Sequence, residues 1–418
     1  MTGQVACGRT CIPPDAWMEN MKERKYDIDW LRVLVMLAVF LFHCARFFGG
    51  GTWHLNNSKQ SIAALIFIGW LDMWFMPLFY LLSGYGAWYA LKSRSNEQYF
   101  WERTKRLLVP LYTVGLFVLL PPQFYFEQFS NAGFTGTFWE SLSIYFRRVG
   151  HFYINRPDGL LPLPFGGHLW FLQYLFMISL LALPLLRYLH AKPGLSFIDK
   201  LAGGCSQRGG IFLCLIPVIL VRVALRSVFW GEHTWAEFFE FMVFFLIGYI
   251  LPVNTHFTES IEKYGWILLI FGLVSFGGQG LFILRLGYHY PGGEQFCLTF
   301  VLFEIVMSIG RWGWVFFVLS LGAKYLNFNR KALSYGNEAV LPFYILHQTI
   351  ILCVGWFVIP LNMAIPGKYL IIVVTSFALI MILYELLVRR FNMVRFCFGM
   401  RLMKKLSATH ISTRNSFP

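Results

Sequence analysis

The chain has 418 residues, 57% of them hydrophobic and only 13% charged, with a mean hydropathy of +0.56. Soluble domains carry about 25% charged residues, so the composition excludes a large soluble enzyme and points to a polytopic membrane protein. The net charge of +14 does not signal nucleic acid: no basic–aromatic nucleic-acid motif accompanies it, and the basic residues follow the membrane instead.

Residues 1–25 lack an apolar core and end in Lys22, Arg24 and Lys25. They read as a disordered cytoplasmic tail rather than a cleavable signal. The next segment, 26–48, is the first apolar span. It opens with Asp27, Asp29 and Arg32 and carries His43 in its outer third. Arg32 and His43 lie on one helical face, about 16 Å apart along the axis. Ionisable groups are costly in lipid and mark function by default, and histidine titrates near neutrality. His43 is therefore the leading candidate for proton chemistry, as a general base; the competing reading is a packed histidine bonded to a neighbouring carbonyl. Asp29 and Arg32, three residues apart, can pair and hold the arginine in place. Cys44 is no partner for His43, because helix neighbours point about 100° apart.

Depth suggests a mechanism. His43 lies about 20 Å above the start of its span, past the midplane of a core about 30 Å thick. A cytosolic donor needs a long thin arm to reach it, and the pantetheine arm of coenzyme A is of that order. Its phosphates would stay at the cytoplasmic mouth, where Arg103, Lys105 and Arg106 precede the third span; positive-inside anchoring explains the same residues equally well.

Ten spans are predicted, at about 30–48, 62–91, 107–126, 168–190, 210–230, 237–252, 265–287, 297–321, 338–360 and 369–390. With the N-terminus inside, cytoplasmic segments hold 24 of the 35 lysines and arginines, so both termini are expected to be cytoplasmic. The second span contains Pro77 and Ser83-Gly84-Tyr85, tolerated where neighbouring helices re-satisfy the backbone. The exterior loop 127–167, with Arg147, Arg148, Arg156 and Asp158, reads either as a cover for an outward cleft or as a plain surface loop. His168 at the outer mouth of the fourth span is a candidate to orient an acceptor or assist His43. Trp170 and Trp53 are candidates to stack on sugar rings, although interfacial aromatic belts explain most such residues. Arg222 and Arg226 could hold a carboxylate, but snorkelling to the outer headgroups is the preferred reading. Glu304 and Arg311 share a face and read as a structural ion pair. His347 is placed to line a donor channel, and Glu385 to pair with Arg389 or Arg390. The eight cysteines are scattered, with no disulfide framework and no metal-ligand spacing; Cys7 and Cys11 are too isolated for a zinc site. No metal is expected. The chain divides into the tail 1–25, an integral domain 26–395 and a basic cytoplasmic tail 396–418.

Several of these segments, in order, carry a family resemblance. Arg32 with ten residues before His43 resembles the Arg/Lys-x10-His signature of the membrane-bound acyltransferase 3 family. The run from Pro77 to Tyr85, Arg103-Thr104-Lys105-Arg106, Gly167-His168-Leu169-Trp170-Phe171-Leu172 and Phe343-Tyr344-Ile345-Leu346-His347 resemble its later motifs. The resemblance covers nearly all of 26–400. It implies an all-α polytopic bundle that moves an acyl group, such as succinyl or acetyl, from cytoplasmic acyl-CoA to a hydroxyl of an extracytoplasmic glycan. It implies catalytic roles for His43 and Arg32, with Asp29 beside them. Donor-side roles fall to Arg103 and Arg106, joined by Ser83 and His347, and acceptor-side roles to His168, Trp170 and His54. The expected setting is the inner membrane, multi-pass, with a homodimer allowed and no nucleic-acid partner. The rival reading is a proton-coupled secondary transporter using His43 as its proton site. Such transporters usually carry an internal repeat, and none is evident.

Overall fold

In a computed structural model the apolar segments fold as helices, and no strand occurs among the described residues. These are 25–51, 53–150, 167–229, 231–286 and 296–403, with side chains 148–150 and 286 excluded. The expectations for the tail 1–24, for Cys7 and Cys11, for the Arg148 side chain, for Arg156 and Asp158, and for 404–418 lie outside them.

Helix α1 (Tyr26–Ala45) is followed by α2 (Ile62–Asp72) and α3 (Phe75–Ser93). Ser61 caps α2 by accepting from the Ala64 N–H. Ser95 and Gln98 form a reciprocal capping box at the start of α4 (Asn96–Arg103). This helix runs on through π-helical turns at Thr104–Leu108 and Leu111–Leu119 into α5 (Leu120–Asn131). Pro110, which has no N–H to offer the ladder, separates the two π-helical stretches. Then come α6 (Phe138–Gly150), α7 (Trp170–Leu181), α8 (Leu183–His190), α9 (Lys192–Ser206), α10 (Ile216–Leu225) and α11 (Trp235–Ile250). The chain closes with α12 (Thr255–Lys263), α13 (Gly265–Leu286), α14 (Leu298–Tyr325), α15 (Lys331–Val358), α16 (Ile365–Leu383) and the short α17 (Asn392–Cys397).

Among the described residues eight helical runs are long and apolar enough to cross a membrane. A ninth is the pair Gly167–Leu181 and Leu183–His190, bent by 51°, where Pro184 begins the second helix and breaks the ladder. The segment expected to be the fifth span is apolar but short, Gly210–Leu225. The predicted places fold as helix, and among the described residues eight, or nine with the bent pair, have the length and apolarity of a span.

Two contacts fix the geometry that matters below. Helix α15 packs on α1 and α16 and reaches α5, which gathers polar residues of three spans. Helices α3 and α11 cross with their backbones touching. A Cβ on Gly84 would lie 1.9 Å from the Phe245 carbonyl oxygen, and one on Gly248 would lie 1.9 Å from that of Leu81. Small residues at such crossings let membrane helices pack by close backbone approach. Gly84 of the Ser-Gly-Tyr motif is thus required for packing.

Candidate active site

His43 leaves α1 half-buried, one turn above Val39. Its Nδ1 lies 2.8 Å from the Val39 carbonyl oxygen and 3.3 Å from Nε2 of His347 on α15. A carbonyl can only accept, so Nδ1 carries the proton and Nε2 is left as the basic nitrogen. Nε2 has no protein partner among the described residues. His347 is fully buried. Its Nδ1 donates to the Tyr344 carbonyl oxygen, so its Nε2 presents a lone pair to His43 Nδ1–H. The two rings meet edge to face with centroids 4.8 Å apart.

Beyond His347 the network continues to the turn ahead of α7. His168 sits in the 3-10 turn Gly167–Leu169 ahead of α7, its ring 5.3 Å from that of His347. Its Nε2 donates to the Ile345 carbonyl at 3.0 Å, and its Nδ1 accepts from Gln123 Nε2 at 2.9 Å. The Tyr344 hydroxyl donates to the His168 carbonyl. Gln123 also donates to Thr349 Oγ1 at 2.7 Å and accepts from Gln348 Nε2 at 3.2 Å. Gln348 Nε2 lies 3.0 Å from His54 Nε2, and His54 Nδ1 faces Glu127 at 3.4 Å. Buried polar groups that are satisfied in this way specify one arrangement. Four histidines from separate parts of the sequence thereby share one network. They do not form a metal-ligand set: no cluster of three or more His, Cys, Asp or Glu suited to a metal occurs among the described residues.

The structure places the other sequence-derived residues as follows. Arg32 donates from Nη1 to Asp29 Oδ1 at 3.1 Å and from Nη2 to the Leu82 carbonyl at 3.1 Å. The pair therefore locks α1 to α3 at the end opposite His43. The Ser83 hydroxyl donates back to the Phe79 carbonyl at 2.8 Å. Arg103 lies over the Tyr99 ring, 4.9 Å from its centroid. Trp170 does not join the histidines; it packs on Phe241, Tyr174 and His233, the last at 4.5 Å between centroids. His347, expected to line a donor channel, lies 3.3 Å from His43. Cys44 is fully buried in the core. Glu385 pairs with Arg389 at 3.0 Å, as expected.

Two expectations are overturned. Arg222 and Arg226 do not snorkel. Arg222 has no exposed surface and sits between Glu240 at 2.7 Å and Glu304 at 2.6 Å, while Arg226 pairs with Glu237 at 3.0 Å. Carboxylates on α11 and α14 neutralise these cations, so neither the lipid headgroups nor a ligand carboxylate has to. Glu304 and Arg311 belong to one ion cluster, but through different partners: Arg311 reaches Glu240 at 3.5 Å. Sequence reasoning passed over Gln123, Gln348 and Thr349. Their signal was present, since each is a polar residue inside an otherwise apolar span.

The family model for the acyltransferase 3 type of acyltransferase domain matches residues 25–385. The chain is similar to glucans biosynthesis protein C of Escherichia coli SMS-3-5, 25% identical over 354 residues, covering 81% of this chain and 85% of the relative. The same protein of strain UMN026 is 26% identical over 358 residues, and that of strain K12 is 25% identical over 354, each with the same coverage. No solved structure matches the chain.

Proposed function

The chain belongs to the acyltransferase 3 family of membrane acyltransferases, and from that premise we propose that it transfers an acyl group from cytoplasmic acyl-CoA to a glycan hydroxyl at the outer face. The observation that carries this reading is the anchoring of His43. Its Nδ1–H is held by the Val39 carbonyl and by His347, which presents Nε2 as a base of fixed orientation.

In the proposed reaction His43 Nε2 takes the proton of the acceptor hydroxyl while its oxygen attacks the thioester carbonyl. The resulting imidazolium is stabilised at Nδ1–H by the Val39 oxygen and the neutral His347 lone pair. The carbon–sulfur bond breaks, and the departing thiolate takes the proton from His43. An ester and free coenzyme A result, with no net proton released. Arg32, held by Asp29 and the Leu82 carbonyl, stands on the donor path between the cytoplasmic mouth and His43 and orients the pantetheine arm. Ser83 borders the same path. On the outer side His168 and His54, joined through Gln123 and Gln348, line the approach of the acceptor. The names of the relatives favour a glucan as acceptor; succinyl-CoA and acetyl-CoA are the donors to test, in the bacterial inner membrane.

The test is acyl transfer by purified protein in lipid nanodiscs, with succinyl-CoA or acetyl-CoA and a β-glucan, alongside calorimetric titration of each thioester. Transfer by the wild type and its loss in a folded His43→Ala variant support the proposal. Undiminished transfer by folded His43→Ala overturns the role of His43. Failure of the wild type to bind either thioester overturns the donor and turns attention to proton-coupled uptake.

A further inference from the structure

The C-terminal segment returns to the start of the third span. Gly399 has φ +65°, and a Cβ there would lie 2.5 Å from the Arg106 carbonyl oxygen and 2.9 Å from Pro110 Cγ. Glycine is therefore required twice, for the left-handed turn and for the close approach. The Thr113 hydroxyl, on the π-helical stretch, lies 3.2 Å from the Cys397 carbonyl. On the far side of the turn Arg395 Nε donates to the Arg401 carbonyl at 2.8 Å, while Arg395 Nη2 pairs with Glu338 at 3.0 Å. Asn392 Oδ1 accepts from the Met403 N–H at 2.8 Å. Cys397 and Gly399 thus rest on the helix that bears Arg103 and Arg106, while Arg395 and Asn392 hold 401 and 403 to the same segment.

Arg401 follows two residues after Gly399, which packs on the Arg106 carbonyl, and so adds a third guanidinium to the end of the helix that bears Arg103 and Arg106. The arginines around this spot are not equivalent. Arg32 has Asp29, Arg94 has Glu102, Arg389 has Glu385 and Arg395 has Glu338. Arg103, Arg106 and Arg401 have no ion pair among the described residues. Glu102, on the same helix as Arg103, is already held by Arg94. Three uncompensated guanidinium groups on a docked backbone repel one another until a polyanion arrives, and guanidinium forks suit phosphate oxygens.

We propose that Arg401 completes, with Arg103 and Arg106, a cradle for the phosphates of the coenzyme A nucleotide, so that the segment 392–403 is part of the donor site. The inference deepens the proposed function and rests on acyl-CoA as donor. Arg401 lies beyond the region matched by the family model, which ends at 385. The same chemistry would recognise an anionic lipid headgroup, and the experiment separates the two sources.

Calorimetric titrations compare the wild type, Arg401→Ala and Gly399→Val in phosphatidylcholine nanodiscs, with acetyl-CoA, acetyl-dephospho-CoA and S-acetylpantetheine. The expected result is acetyl-CoA affinity weakened about tenfold by Arg401→Ala, with S-acetylpantetheine unaffected. Gly399→Val should reproduce the loss, because it displaces the segment while keeping Arg401. An unchanged affinity for acetyl-CoA in Arg401→Ala overturns the inference, as does an equal weakening of S-acetylpantetheine. Loss of bound phosphatidylglycerol from Arg401→Ala in mixed-lipid discs, with acetyl-CoA binding intact, assigns the cluster to a headgroup and also overturns it. A wild type that binds no thioester sinks the donor reading and this inference with it; a wild type that binds while Arg401→Ala is unchanged sinks this inference alone.

Discussion

Two groups of ionisable side chains lie within the spans, and they are satisfied by opposite means. Arg222, Glu240, Glu304 and Arg311 are two cations and two anions from three helices, each close to burial or fully buried, with charge answered by charge. His43, His347 and His168 are answered by carbonyls, amides and one another, with no carboxylate in direct contact. The first group is held by ion pairs among its own members and ties α10, α11 and α14 together, although Glu304 Oε1 and Arg311 Nε have no hydrogen-bond partner among the described residues. The second leaves one nitrogen, His43 Nε2, without a protein partner. A buried ionisable residue is a functional candidate only until its partners are counted, and the count separates a brace from a reactive site.

That contrast can be broken in four places. The largest effect is expected at His43, where His43→Ala should lower transfer by roughly 10²- to 10⁴-fold without shifting thermal unfolding; initial rates and a melting curve check both halves. Glu240→Gln should do the reverse. It strips Arg222 and Arg311 of a shared counter-ion and should destabilise the fold by about 3–5 kcal/mol, read by denaturant unfolding in detergent, while the surviving folded protein keeps its turnover. Removing a cation and an anion together, Arg222→Met with Glu304→Gln, should cost much less, because Glu240 keeps Arg311 as its partner. Next comes His347→Ala, which frees the His43 ring to rotate. Misplacement of a reacting group costs about 10²-fold, so kcat should fall by that order with KM little changed. His347→Gln, which keeps an acceptor, should recover part of it, and steady-state kinetics would tell. The smallest effect belongs to the end of the network farthest from His43. His54→Ala removes one hydrogen bond worth about 1 kcal/mol and should raise the acceptor KM about fivefold with kcat nearly constant.

Local relations were legible in the sequence and remote ones were not. Asp29 and Arg32 pair because they are three apart on one helix, and spacing alone says so. Glu385 and Arg389, four apart, are equally plain. His43 and His347 are separated by 304 positions, and nothing in either segment reveals that α15 lies against α1. Arg222 and Arg226 were misread for the same reason, since their glutamates belong to other helices or lie across the α10–α11 connection. Hydropathy located the long apolar helices but not the polar or amphipathic ones, such as Phe138–Gly150 within the segment read as an exterior loop, and the break at Pro184 and the shortness of Gly210–Leu225 depend on how the bundle accommodates them. Gly84 was visible as part of a motif, whereas its reason, a carbonyl of α11 at van der Waals distance, required the packed structure.

The crossing of α3 and α11 has a mechanical consequence. With a carbonyl oxygen of each helix seated on a glycine of the other, the joint has no slack: sliding by a fraction of a turn brings side chains onto backbone. Two residues before Gly84 is the Leu82 carbonyl that receives Arg32, and on α11 stands Glu240, the hub of the ion cluster. The two helices therefore behave as one beam. Any motion that opens a path across this protein must carry Arg32's anchor and the ion cluster together, and must find its hinges elsewhere, in the π-helical turns around Pro110 and the bend at Pro184.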